Sequence, residues 1–148
     1  MTPEVRALYQ EVIVDHGRHP RNFGPMPEAT HVLEGYNPLC GDKLKLFLLV
    51  KNNSIGAVKF EGAGCAISMA SASLMSQQMQ GKTLEEAKQL FQCFHAMIID
   101  GQAPDARLGK LSILEGVKEF PARVKCATLA WHTLQNALDG KNEVAVTE

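Results

Sequence analysis

The chain has 148 residues, 45% of them hydrophobic and 21% charged, with a formal net charge of −1. That size and mixture suit one compact domain with a real core, and near-neutrality gives no global electrostatic basis for binding nucleic acid or an anionic membrane. No apolar run approaches transmembrane length, and the N-terminus Met1-Thr2-Pro3-Glu4-Val5-Arg6 has no apolar stretch after a basic start, so the expected setting is the cytoplasm. In that reducing compartment the four cysteines are expected as metal ligands, nucleophiles or core residues rather than as disulfides.

Residues 3–16 predict an amphipathic helix, with Val5, Leu8, Tyr9, Val12 and Ile13 at three- and four-residue steps and Pro3 in the first turn. His16 to Pro27 holds three prolines and two glycines, which predicts a loop. Strands are expected over Thr30 to Tyr36, over Lys43 to Lys51, where Leu44, Leu46, Leu48 and Val50 alternate, and over Ile55 to Glu61. Asn52-Asn53-Ser54 joins the last two as a hairpin, and Gly62-Ala63-Gly64 ends the pair. Beyond Cys65 the pattern becomes helical. Ala66 to Met79 carries a face of small residues on which another backbone can pack closely. Thr83 to Ile99 opens with an N-cap Thr83 and Glu86 in the capping-box position. Leu108 to Glu119 reads as a short helix or irregular surface structure, and Pro121 starts a last helix to about Leu138. Strands first and helices later predict an α+β fold: a small antiparallel sheet of about three strands against a cluster of helices. One domain is expected over residues 1–140, and 141–148 is expected to be a frayed C-terminal tail.

The chemistry concentrates in three short words: Asn37-Pro38-Leu39-Cys40-Gly41-Asp42, Gly62-Ala63-Gly64-Cys65-Ala66-Ile67-Ser68 and Arg123-Val124-Lys125-Cys126-Ala127. Each cysteine stands at a turn or near a helix start rather than inside an apolar run. Gly41 lets Cys40 and Asp42 converge. The N-terminal end of a helix favours a thiolate at Cys65, and Arg123 and Lys125 are expected to lower the Cys126 thiol pKa. Three thiolates and a carboxylate suit zinc or the irons of a small iron–sulfur cluster. Spacings of 25 and 61 residues differ from the paired hooks of zinc fingers, so any shared site must be assembled by the fold.

These words, together with Tyr9 to Asn22 (Y-Q-E-V-I-V-D-H-G-R-H-P-R-N), Gly62 to Ser73 (G-A-G-C-A-I-S-M-A-S-A-S) and Arg123 to Trp131 (R-V-K-C-A-T-L-A-W), resemble the iron–sulfur cluster assembly family of IscU, SufU and the NifU N-terminal domain. The resemblance runs to about residue 138 and implies a small antiparallel sheet packed on helices. IscU proteins carry a histidine immediately before the third cysteine; here Lys125 stands there, which does not coordinate while protonated. Extra sequence around Gly101 to Glu119 is a second departure, and both features resemble the SufU branch. That branch implies a zinc ion held by Cys40, Asp42, Cys65 and Cys126, and sulfane sulfur accepted from a SufS-like cysteine desulfurase. The desulfurase would offer a histidine to the zinc and free Cys40 as the acceptor, with Arg123 beside the site. Downstream assembly proteins or apo-proteins would be the further partners.

Two alternatives stay open. The same four residues could hold a transient [2Fe–2S] cluster or iron in a non-enzymatic scaffold, rather than serve a zinc-dependent sulfurtransferase-type acceptor. A cysteine hydrolase would need a Cys–His pair with an orienting residue, and no local word supplies one. Cys93, in Phe91-Gln92-Cys93-Phe94, is expected to pack as a small hydrophobe. His16 and His19 adjoin no cysteine and are expected in structural or partner contacts, and His31, His95 and His132 carry no ligand signal.

Overall fold

The computed structural model describes residues 2–147, with Val5 and Leu8 described by their backbone alone. The expected apolar contacts of Val5 and Leu8, and the end of the tail at Glu148, lie outside the described residues. The elements in order are α1 (Pro3–Arg18), β1 (His31–Asn37), β2 (Asp42–Lys51), β3 (Ser54–Ala63), α2 (Ala66–Met79), α3 (Leu84–Ile98), a 3₁₀ segment (Ala106–Glu119), α4 (Pro121–Leu138) and β4 (Ala145–Val146). The fold is the expected α+β arrangement, with a sheet of order β3-β2-β1-β4 packed on helices.

Alternation builds the sheet. Leu44, Leu46 and Leu48 of β2 are buried towards the helices, and β1 and β3 flank β2 antiparallel. A bulge at Leu49/Val50 shifts the register near the hairpin turn, where Asn52 and Asn53 adopt positive φ. The proline-rich loop after α1 is more ordered than its composition suggests. Phe23 bridges Phe60 in parallel, with hydrogen bonds from Gly24 N to Phe60 O (2.8 Å) and from Phe60 N to Asn22 O (3.1 Å), so the loop covers the outer edge of β3.

Helix α2 is central, packed against α1 and α4, and its small residues make that possible. Ala70, Ser71, Ala72, Ser73 and Ser76 are all buried. At its start, a Cβ on Gly17 of α1 would lie 3.0 Å from the Ala66 carbonyl oxygen, so the two backbones nearly touch. Trp131 of α4 fills the core, stacked at 4.1 Å on Phe94 of α3, and its indole N–H donates to Ser71 Oγ (3.2 Å). The capping box of α3 forms as expected between Thr83 and Glu86. Between α3 and α4 the ambiguous segment is a 3₁₀ helix kinked at Gly109 (φ 53°, ψ −125°). Leu108, Leu111, Leu114 and Val117 are its buried residues. Beyond the kink, Leu111, Leu114 and Val117 keep a three-residue period, which makes one stripe on a helix of three residues per turn and would drift around an α-helix.

The tail departs from expectation. Ala145 and Val146 pair in parallel with Gly35 and Tyr36 of β1, Ala145 is buried, and Thr147 is tied by its amide to Tyr36 O (3.1 Å) and by its hydroxyl to Lys125 O (3.2 Å). Burial and backbone pairing with β1 order a segment that composition alone marks as frayed. Among the described residues no helix is long and apolar enough to cross a membrane.

Candidate metal centre

The site forms where the β1–β2 hairpin meets the first turn of α2 and the second turn of α4. Asn37 ends β1, Asp42 begins β2, and they are direct cross-strand partners. The four residues between them carry Cys40, and Gly41 at φ +70° closes the turn. Cys40 is therefore exposed at a loop tip, while Asn37 and Asp42 at its base are 0% exposed. Cys65 is the N-cap of α2 and half-buried; its sulfur accepts the Ser68 amide at 3.4 Å. Cys126 projects from α4 and is buried.

Three of the four expected ligands converge. The candidate donor atoms of Cys40, Asp42 and Cys126 all lie within 4.8 Å of one another, and Cys126 Sγ is 3.2 Å from Cys40 Sγ. Donors around one tetrahedral zinc stand roughly 3.5–4 Å apart, given metal–ligand bonds of about 2.0–2.3 Å, so the trio fits one ion. Cys65 adjoins the trio without its sulfur entering it: its backbone amide donates to Asp42 Oδ1 (2.9 Å), while the sulfur caps α2. Gly64 admits this contact, because a Cβ there would stand 2.5 Å from Asp42 Oδ1.

The electrostatics correct one expectation. The Cys126 thiol is not lowered by its neighbouring cations. Burial pushes it well up, and the surrounding Cys40, Asp42 and Cys65 side chains push in the same direction. Arg123 is exposed on the first turn of α4, and its guanidinium is held further into its charged form, first by interaction with the Cys126 sulfur and then by the charges of Cys65, Cys126 and Cys40. A buried thiol that resists ionisation beside an aspartate and two more thiols is a setting that a bound cation makes favourable, since the ion supplies the charge that burial denies.

Outside this cluster, Cys93 is half-buried and packed against the core. His16 is buried with Nδ1 at 2.7 Å from Ser73 Oγ, the structural one of the two roles expected of it. Asn37 was part of the first motif but carried no role of its own in the sequence; its amide reaches both Asp42 Oδ2 (3.1 Å) and Cys126 Sγ (3.5 Å). Only the strand pairing that sets Asn37 opposite Asp42, with α4 laid across them, makes that reach visible.

Comparison with known proteins identifies the family. The NifU-like N-terminal domain model matches residues 8–127. The zinc-dependent sulfurtransferase SufU of Bacillus subtilis is 42% identical over 132 residues, covering 88% of this chain and 89% of that protein. The iron–sulfur cluster assembly scaffold protein IscU of Thermotoga maritima is 38% identical over 133 residues, covering 90% and 94%. Among solved structures, a candidate iron–sulfur cluster assembly scaffold protein for the SUF system from Fervidobacterium islandicum superimposes with a TM-score of 0.82 at 39% identity, covering 90% of this chain and 98% of that one. Joined to a hairpin and a helix turn that bring two thiols and a carboxylate together, with Cys65 beside them, these matches establish that the chain belongs to the IscU/SufU/NifU-N family of iron–sulfur cluster assembly proteins.

Proposed function

We propose that this protein accepts sulfane sulfur from a SufS-like cysteine desulfurase on Cys40, at a zinc centre held by Cys40, Asp42, Cys65 and Cys126, and passes it into iron–sulfur cluster assembly in the cytoplasm. The observation that carries this reading is the asymmetry of the donor set. Cys40 is exposed on a turn, while Asp42 and Cys126, within 4.8 Å of it, are buried. A partner's persulfide therefore has access to one sulfur of the cluster above the others. The similarity to the Bacillus zinc-dependent sulfurtransferase supports the same choice.

When bound, zinc keeps its cysteine ligands as thiolates at neutral pH. The transfer itself is a thiol–disulfide type exchange. The Cys40 thiolate attacks the terminal sulfur of the desulfurase persulfide. A new S–S bond forms at Cys40, the S–S bond on the desulfurase breaks, and the desulfurase cysteine leaves as a thiolate. The proton stays on the transferred sulfur and no net oxidation occurs. Arg123, exposed beside the three sulfurs, offers positive charge to the anionic sulfur species on both sides of the exchange.

The second reading, favoured by the oxygen donor Asp42 among thiolates and by the similarity to the Thermotoga scaffold protein, has the same residues hold a [2Fe–2S] cluster as transient cargo. Desulfurase turnover separates the two. Titrating zinc-loaded protein into the host's own desulfurase is expected to raise turnover saturably, and Cys40→Ala is expected to return it to the basal rate. Acceleration that survives Cys40→Ala refutes the acceptor assignment. An absent rise with zinc intact transfers the function to the scaffold reading, which predicts a coloured, oxygen-sensitive species on anaerobic reconstitution.

A further inference from the structure

We propose that Asn37 is the positioning residue of the metal centre, holding Asp42 and Cys126 in place for the ion and thereby leaving Cys40 as the donor that departs. The inference rests on the metal-binding half of the proposed function.

Asn37 is fully buried, yet every part of its side-chain amide is used. Nδ2 carries two hydrogens, and its two neighbours are Asp42 Oδ2 at 3.1 Å and Cys126 Sγ at 3.5 Å. Oδ1 accepts the Leu39 amide at 3.2 Å, shaping the turn that presents Cys40. Asp42 is consequently fixed at both oxygens, one by Asn37 and the other by the Cys65 amide at 2.9 Å. Each carboxylate oxygen has a second lone pair, so these bonds orient the group and leave it able to ligate. This is the arrangement by which outer groups fix ligands before a metal arrives.

The four donors are unequally supported. Asp42 holds two N–H bonds, Cys126 has the Asn37 amide, and Cys65 has the Ser68 amide. The Cys40 sulfur has one hydrogen-bond partner among the described residues, the Cys126 sulfur, and it is exposed. An N–H donor stabilises charge on a thiolate and holds its direction. The donor without one is the least anchored to the protein, and it is the same cysteine that a partner can reach. Asn37 supplies this inequality at two of the three supported donors.

The competing explanation is that Asn37 serves only the turn, through Oδ1 and the Leu39 amide. Two variants separate the roles. Asn37→Ser keeps a short oxygen for the Leu39 amide but does not reach Asp42 or Cys126, and Asn37→Ala loses both. The measurements, on the full chain, are zinc affinity by competition with a chromophoric chelator and the absorption spectrum of the cobalt-substituted protein. Both variants are expected to lose zinc affinity by about 10–100-fold, the usual cost of removing an outer-shell partner. Both are expected to shift the thiolate-to-cobalt charge-transfer band to lower energy, because the Cys126 sulfur loses its N–H donor. Asn37→Ser protein with wild-type zinc affinity and an unshifted cobalt band overturns the inference and leaves Asn37 as a turn residue. Wild-type protein that fails to hold zinc against the chelator removes the zinc reading itself, a distinct outcome.

Discussion

Two buried polar clusters lie on either side of α2, and they are finished differently. Against α1 and the following loop, Ser73 Oγ meets His16 Nδ1 at 2.7 Å and the Arg21 amide at 2.9 Å, Asn22 Nδ2 donates to Ser76 Oγ at 3.0 Å, and Ser76 donates to Ser73 O at 2.7 Å. Every contact is between nitrogen and oxygen or between two oxygens, at 2.7 to 3.0 Å. At the end of the sheet, Asn37, Asp42 and three cysteines form the second cluster, whose sulfur contacts run from 3.2 to 3.5 Å. Among the described residues neither cluster leaves a buried side-chain nitrogen or oxygen unpartnered. The difference lies in sulfur, a weak hydrogen-bond acceptor and a strong metal ligand. The oxygen and nitrogen cluster is satisfied within itself and joins α1 and the following loop to α2. The sulfur cluster is tied together just enough to be positioned, and it keeps its main chemical capacity for something else.

The sharpest way to break this contrast is at Gly64. A Cβ there meets Asp42 Oδ1 at 2.5 Å and Asp42 Cβ and Cγ at 3.1 Å, and the carboxylate cannot retreat without losing the Cys65 amide or Asn37. Gly64→Ala is expected to cost about 1–3 kcal/mol of stability. That corresponds to roughly 2–4 °C of melting temperature per kcal/mol for a chain of this size. Zinc affinity, measured by chelator competition, is expected to fall more than tenfold with it. Gly116→Ala, where an added Cβ meets nothing within 4 Å, is the matched control and is expected to change neither quantity. Unchanged zinc binding in Gly64→Ala would mean that Asp42 is not held where the metal needs it.

The two clusters were also unequally legible in the sequence. Alternating leucines located β2, and three cysteine words located the loops of the metal centre, because local sequence alone dictates a strand period or a helix start. Their convergence was supplied by family resemblance, since spacings of 25 and 61 residues say nothing about distance. At Cys126 the sequence displays the local cations Arg123 and Lys125, whereas the burial that outweighs them comes from packing α4 over the hairpin. Asn37 lacked a signal for a related reason: its partners are a cross-strand residue and a helix 89 positions away. The tail carries no strand signal because two residues, Ala145 and Val146, are too few to show a period, and their order comes from β1 and the Lys125 carbonyl.

The α1–α2 cluster gives the next test. His16→Ala removes one of the two partners of the buried Ser73 hydroxyl and is expected to destabilise by about 1–3 kcal/mol, with zinc affinity unchanged. Loss of zinc binding in that variant would erase the distinction between the clusters. His16 also makes the cluster sensitive to pH. Burial holds its pKa below the ordinary 6.5, the charges of Arg21 and Lys110 push the same way, and Asp15 opposes them. A histidine whose folded pKa is depressed binds more protons when unfolded, so its contribution is intact above about 6.5 and is lost as pH falls from there through the folded value. His132, lowered by burial and by His95, adds to the same slope. The melting temperature of apo-protein is therefore expected to fall between about pH 7 and 5, and His16→Gln is expected to flatten part of that fall, leaving the share of His132. The lowered carboxylates Asp15, Glu86 and Asp105 act at lower pH, outside that window.

The smallest effect is expected at Cys93, which tests whether sulfur alone makes a site. It is half-buried against the core on α3, and Arg107 is close enough for its guanidinium to respond to the Cys93 charge. Yet among the described residues it belongs to no group of three converging ligand side chains, the arrangement that Cys40, Asp42 and Cys126 form with each other. Cys93→Ala is expected to cost about 1 kcal/mol or less and to leave zinc stoichiometry and affinity unchanged. Thiol labelling gives the complementary reading. In zinc-loaded protein Cys93 is expected to remain reactive while the three site cysteines are protected, because a coordinated thiolate is withheld from the reagent. Chelation is then expected to release Cys40 first, as the exposed member, and Cys126 last, as the buried one. A zinc-loaded protein in which Cys93 is protected and Cys40 reacts freely would place the metal at α3 and away from the cluster of Cys40, Asp42 and Cys126, and would remove the contrast between a closed cluster and an open one.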